Sequence, residues 1–333
     1  MPKRCRSVSE AEGQPSTAVG QSPFERSSET WYRDGNIVLQ AGNTQFKVHQ
    51  GLLERQSSVF SELFSQPPKP GVETVEGCRV VDLEESDEDI QLLLTALYEP
   101  RPALKDPVPF KFVSAMIRMG LSYRIPQLYE EALERLTMEL PTTLEEYDQR
   151  NGVWTSIIEE KGLVIKIVNL AHECGIHTIL PAAYFRCLSN MDALLYGELL
   201  GDEPDSPRSE AACLTAVRAC VAGREPLYSA FNRTFAWARE VGQSWSCDDE
   251  EQCLYATRPW LCNVLWNPVP KIERVLLNRK HLTSKEFLLL TCTDLCEKCS
   301  KEAQEKFEVE RPVTWKELPG YFGLPKWEDL KNP

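Results

Sequence analysis

Histidine is scarce in this chain: there are four in 333 residues, at His49, His172, His177 and His281. So thin and scattered a set reads as structural, and nowhere does the sequence place a nucleophile beside a base with a third group to orient it. Cys174 does lie near His172 and His177, but inside an apolar helical pattern without an orienting partner, so a cysteine–histidine hydrolase is not expected. Long apolar runs are also missing. None approaches the roughly 18 to 20 residues that span a bilayer, and the opening MPKRCRSVSEAEGQPSTAVGQSP has no apolar core for a secretory signal. The expectation is a chain that works inside the cell, in the cytoplasm, the nucleus or both, with no membrane partner. Positive charge is in deficit, 37 Lys and Arg against 50 Asp and Glu, for a formal charge of −13. With no basic stripe interleaved with aromatics, nucleic acid is not an expected partner, and the short KRCR reads as a solvated tail rather than an import signal. No internal repeat of fixed period is found.

What is present suits a two-module globular chain, since 42% of residues are hydrophobic and 26% charged. Residues 1–28 carry almost no large apolar side chain, cannot offset the entropy of ordering, and are expected to be a disordered arm. The texture changes at Trp31. Ile37 and Leu39, then Phe46 and Val48, flank the turn-forming Ala41-Gly42-Asn43-Thr44, which predicts a β-hairpin. Leu52 and Leu53, then Val59, Phe60, Leu63 and Phe64, predict two short helices with Ser57 as a cap between them. The prolines of PPKPG force a loop. Cys78–Leu83 reads as a strand, and Ser86 with Asp89 opens a helix bearing Ile90, Leu93, Leu94 and Leu97 on one face; its acidic start reads as capping rather than as a docking patch. After a proline-rich link, Pro100 to Pro109, two more helices follow, the second beginning at Pro126. The expected order is β-β-α-α-β-α-α-α, closed by a hinge-like acidic segment from Pro141 to Gly152.

Beyond Gly162 the pattern is helical, with candidates at Leu163–Cys174, Ile179–Met191, Ser209–Ala222 and Pro226–Val241. Phe231, Phe235 and Trp237 stand at helical spacing and read as a core stripe rather than a partner groove. Lys271–His281 reads as a short amphipathic helix. Of the twelve cysteines, Cys247, Cys253, Cys262, Cys292, Cys296 and Cys299 crowd together near the end. In a reducing compartment such clusters point to metal rather than disulfides. Thiolates bind zinc tetrahedrally, and two local pairs act as two chelating clips. The candidate ligands are Cys247, Cys253, Cys296 and Cys299 around a structural zinc, with Cys262 and Cys292 as substitutes and unrelated reduced thiols as the alternative. Cys296-x2-Cys299 is the tighter clip. Cys247-x5-Cys253 is loose, and its intervening DDEEQ repels thiolates unless a cation sits nearby. Four thiolates leave no open coordination position, so such a site holds structure and does not make an enzyme.

Three ordered blocks, DGNIVLQAGNTQFKVHQGLLERQSSVFSELF, GCRVVDLEESDEDIQLLLTALYEP and VSAMIRMGLSYRIPQLYEEALERL, resemble the BTB/POZ domains of many fungal proteins. The likeness includes the Phe46-x-Val48-His49 step into the first helix and the Leu63-Phe64 end of the second, and covers about a third of the chain. The tail resembles that of basidiomycete-type BTB proteins, in which a Cys-x5-Cys pair precedes a Cys-x2-Cys pair and an FGLPxW close, here Phe322 to Trp327. The resemblance implies an α+β architecture: a BTB/POZ domain at residues 29–145, a small sheet flanked by helices, then a helical carboxyl-terminal domain at 146–333 with a cysteine-rich tail. It implies a non-catalytic scaffold or adaptor that pairs with itself or another BTB chain. An adaptor role for a cullin-type ubiquitin ligase, or transcriptional or chromatin regulation through the zinc-bound carboxyl-terminal region, are the alternatives. Kelch repeats, a C2H2 array and a MATH domain are all missing, which weakens the adaptor and DNA-reading roles.

Overall fold

The computed structural model describes residues 24–67, 74–150, 153–188, 207–243, 247–267, 270–276 and 295–333. Its architecture is α+β, with a small sheet and helices first and a mostly helical region after them. Two compact units divide the chain, residues 1–95 and 96–333.

In the first unit the expected hairpin forms from β2 (Ile37–Ala41) and β3 (Thr44–Val48), with Ile37 opposite Val48 and Leu39 opposite Phe46. Gly42 turns the chain at φ +53°, a left-handed conformation that side-chain-bearing residues rarely adopt. Strand β5 (Cys78–Leu83) pairs parallel with β2. Helices α1 (Gln50–Gln56) and α2 (Ser58–Ser65) follow the hairpin, and Ser57 accepts from the Phe60 amide at 3.1 Å as the cap between them. Helix α3 (Asp87–Tyr98) starts where expected, the Asp89 amide donating to Ser86 Oγ. The core of this unit is Ile37, Leu39, Phe46, Leu53, Phe60, Ile90, Leu93 and Leu94, all closed to solvent.

Two strands were not expected. The short β4 (Thr74–Val75) caps one edge beside β5, while β1 (Glu25–Trp31) forms the other, giving the order β1-β3-β2-β5-β4. Strand β1 begins inside the segment expected to be a disordered arm, so residues 25–28 are corrected to strand. Its sequence ERSSETW offers no apolar alternation because its buried positions are hydroxyl residues, Ser27 and Thr30. Gln91 of α3 satisfies both, accepting from Ser27 Oγ at 2.8 Å and donating to Thr30 Oγ1 at 2.8 Å. Ladder hydrogen bonds and one glutamine therefore order a stretch that hydropathy alone leaves out.

The second unit opens with α4 (Phe110–Ser122) and α5 (Pro126–Glu139), an antiparallel pair in close contact at Gly120. A β-carbon there would lie 2.8 Å from both the backbone nitrogen and the Cβ of Tyr129. Arg135 of α5 is buried and donates to five carbonyls, those of Pro102, Ala103, Leu104, Asp106 and Ser156, at 2.8 to 3.2 Å. One turn later Glu139 accepts from the amides and hydroxyls of Thr155 and Ser156. The proline-rich link and the 153–158 segment, joined by a bridge between Val108 and Ile157, are thus fixed by two charged side chains of one helix.

The expected hinge from Pro141 to Gly152 contains a helix instead, α6 (Leu144–Gln149). Tyr147 packs on Trp315 with ring centroids 5.0 Å apart, Asp148 pairs with Arg311, and Trp315 Nε1 donates to the Thr142 carbonyl. Its acidic sequence reads as a linker because the aromatic and cationic groups that hold it come from residues over 160 positions away. Gly152 lies outside the described residues.

Helices α7 (Leu163–Cys174) and α8 (Leu180–Leu188) follow. The expected pair at Ser209–Ala222 and Pro226–Val241 is corrected to one continuous helix, α9 (Pro207–Thr234), and a short α10 (Trp237–Glu240). Pro226 sits within α9, where proline forfeits a hydrogen bond at a cost of about 3 kcal/mol. Full burial of Leu227 and Phe231 just beyond it returns about 1.5–3 kcal/mol each. The two halves therefore remain one helix. Phe231, Phe235 and Trp237 are all buried, and Phe235 packs on Phe307, so this stripe is core.

A π-helical turn (Glu251–Thr257) runs into α11 (Arg258–Trp266), and the expected amphipathic helix at Lys271–His281 is a 3₁₀ segment at Ile272–Leu276, residues 277–281 lying outside the described residues. The long α12 (Glu297–Tyr321) packs along α9. The FGLPKW close is a clasp: Phe322 packs on Tyr184 and Trp327 stacks on Trp315 at 5.3 Å.

Candidate functional site

The cysteine centre is assembled by the starts of two helical elements. Cys247 lies on irregular backbone ahead of the π-helical turn, Cys253 within that turn, Cys296 at the N-cap of α12 and Cys299 in its first turn. Their four sulfurs all lie within 4.8 Å of one another. The Sγ atoms of Cys247 and Cys296 are 3.9 Å apart, against about 3.8 Å for the edge of a tetrahedron with Zn–S bonds near 2.3 Å. These are the four residues that the spacing of the sequence picks out. Of the two substitutes, Cys262 turns away to donate to the Ala238 carbonyl at 3.6 Å. Cys292 lies outside the described residues.

The electrostatics of the group explain why it suits a cation. Burial disfavours the thiolate at all three sulfurs whose acidity departs from normal. At Cys253 burial, with thiols beside it, pushes the pKa up to about 11, and burial likewise raises Cys299. At Cys296 burial is outweighed by hydrogen bonds from the backbone amides of Cys299 and Asp248 and from neighbouring thiols, so its pKa falls to about 6. One thiolate is thus provided for by the protein alone, while four so close together call for a cation.

The acidic DDEEQ linker does not aim its charge at the sulfurs. Asp248 pairs with Lys298 at 2.6 Å, tying the two clips together from outside, and Asp249 accepts from the Gln252 amide at 2.9 Å. Sequence spacing missed Gly242, whose amide donates to Cys299 Sγ. Gly242 has φ +77°, and a β-carbon there would lie 2.6 Å from the Leu254 nitrogen. Only its following the short α10 hinted at a left-handed position. Gly242→Ala keeps the amide but drives a β-carbon against Leu254, and the displacement of this donor is expected to weaken zinc binding about 10- to 100-fold, as disturbing a group that orients a ligand does, read by competition with a chromophoric chelator.

The Cys174 neighbourhood has the opposite character. Burial pushes the Cys174 thiol up to about 11, and the His172 ring is bonded to Tyr184 at 2.7 Å with its pKa lowered by burial. A protonated thiol and an imidazole engaged by a phenol do not make an activated nucleophile.

The sheet and helices before this region carry the other functional element. Residues 27–138 match the BTB/POZ domain family. The chain contains a BTB/POZ domain. The match runs from within β1 to the last turn of α5 and leaves the cysteine centre outside it. BTB/POZ domains are protein–protein interaction modules, so protein binding is the work of this part of the chain. No curated protein and no solved structure matches the chain. Among the described residues no helix is long and apolar enough to cross a membrane.

Proposed function

We propose that this chain is a non-catalytic scaffold whose BTB/POZ domain pairs with a second BTB/POZ domain, its own or another chain's, while the helical region from residue 146 onward sets partner specificity. The BTB/POZ match over residues 27–138 carries the reading. The helical region supplies support: Leu214, Val221 and Tyr228 of α9 are large apolar side chains left exposed seven residues apart, hence near one face of the helix. In full, the chain of 37.9 kDa is expected to scatter light as a dimer at micromolar concentration. A monomeric mass throughout a dilution series, in the absence of another BTB chain, rules out self-pairing.

A structural zinc on Cys247, Cys253, Cys296 and Cys299 belongs to the same proposal. The sulfur geometry supports it, and the closed donor set gives the metal the job of cross-linking two segments, not of activating water. Reduced thiols suit the cytoplasm or nucleus. Protein purified without added zinc is expected to carry one equivalent per chain; less than half an equivalent removes the metal from the account.

A further inference from the structure

The four sulfurs of the centre differ in access and in the stiffness of the backbone beneath them. Cys253 and Cys299 are buried and sit within helical turns. Cys247 and Cys296 are both partly exposed; Cys247 lies on irregular chain and Cys296 on the extended N-cap backbone, φ −61° and ψ 160°. Their sulfurs stand 3.9 Å apart, and a disulfide at about 2.05 Å asks for a further approach of about 1.9 Å, which side-chain rotation at a residue outside regular structure supplies. The buried pair has neither the access nor the freedom. Water-borne oxidants therefore meet one sulfur from each clip, and the clips are the two segments that zinc joins.

We propose that Cys247 and Cys296 form a peroxide-sensitive pair whose oxidation to a disulfide expels zinc from the centre, an inference that rests on the zinc reading above. The oxidant is hydrogen peroxide. The Cys296 thiolate attacks one peroxide oxygen: an S–O bond forms, the O–O bond breaks, and the departing hydroxide takes a proton from solvent. The Cys247 thiolate then attacks the sulfur of the resulting sulfenic acid. An S–S bond forms, the S–O bond breaks, and the second hydroxide is protonated to water. The two thiolates lose two electrons, and peroxide with two solvent protons becomes two waters. Zinc keeps two of its four ligands, Cys253 and Cys299, and leaves as the dication. A thiol reductant reverses the sequence. Exposure of the helical half to oxidant thereby alters the segment that packs along α9.

The test uses the full chain. Zinc content is measured first; then hydrogen peroxide is added, zinc release is followed with a chromophoric indicator, and disulfides are mapped by peptide mass spectrometry. Release of about one equivalent in step with a Cys247–Cys296 linkage, with dithiothreitol restoring both thiols and metal uptake, supports the proposal. Release without that linkage, a Cys253–Cys299 linkage formed first, or full zinc retention overturns it. Less than half an equivalent before oxidation overturns the zinc reading and the expulsion step with it, and the disulfide map of the same sample then decides the oxidation site on its own. Cys262→Ser, altering a thiol outside the cluster, is expected to leave the linkage and the release unchanged.

Discussion

Cys253→Ser is expected to weaken zinc binding by about two orders of magnitude and to lower the thermal stability of the helical region. The size follows from sharing the roughly 10–16 kcal/mol of a structural zinc site among four ligands, or about 3 kcal/mol each, a hundredfold at 1.4 kcal/mol per decade. Serine keeps the size of the side chain but offers a hydroxyl that is not ionised at neutral pH. Cys253 is fully buried and its sulfur also accepts from the Cys296 amide at 3.2 Å, so the variant loosens the second clip as well as the first. Chelator competition and far-ultraviolet circular dichroism during heating measure the two effects. Cys262→Ser is the matched control, because that thiol faces the Ala238 carbonyl and not the cluster. Equal zinc affinity in the two variants contradicts the assignment of Cys253 as a ligand.

Arg135→Met carries the largest expected effect outside the cysteine centre, a loss of about 3–5 kcal/mol, in the range for breaking a buried charged network. Methionine matches the aliphatic stem but takes the guanidinium from five carbonyls; those of Ala103 and Ser156 keep the amides of Asp106 and Val108 as donors, while those of Pro102, Leu104 and Asp106 lose the group that gathers them, and an acceptor that loses its partner is costly. Lysine does not restore the arrangement, since its ammonium cannot present the planar fork that reaches the loop and Ser156 together. Arg101, on the same loop, pairs with Glu131 near the surface, so Arg101→Met is expected to cost no more than about 1 kcal/mol. Urea titration of the full chain, compared by midpoint, separates the two. A difference of under 1 kcal/mol between Arg135→Met and Arg101→Met means that the loop finds other donors.

The parts of the fold legible in the sequence are those whose information is local. The hairpin, the Ser57 and Ser86 caps, Cys78–Leu83 and helix α7 are each specified by residues within one turn or one strand of each other. The converging cysteines were legible in part for a similar reason, because the Cys296-x2-Cys299 clip has a spacing that metal chemistry favours, whereas the looser Cys247-x5-Cys253 pair has not. The parts that were not legible depend on distant partners. Strand β1 is polar and becomes ordered by pairing with β3 and by Gln91, about 60 residues on. Pro226 reads as a break between helices because its local penalty is visible, whereas the packing that overrides it is not. Segment 141–150 looks like a hinge until Trp315 and Arg311 arrive from the far end of the chain.

Sequence alone determined the α+β class, the likeness of the first ordered third to a protein-binding module and the choice of cysteines, because periodicity, capping and ligand spacing are properties of neighbouring residues. Tertiary structure decided which sulfurs converge, that Cys262 does not, that two of the four stay open to solvent, and that Gly242 and Lys298 complete the site. The physical reason is that burial, amide hydrogen bonds to a sulfur and the ion pair across the clips arise only when segments fifty residues apart meet.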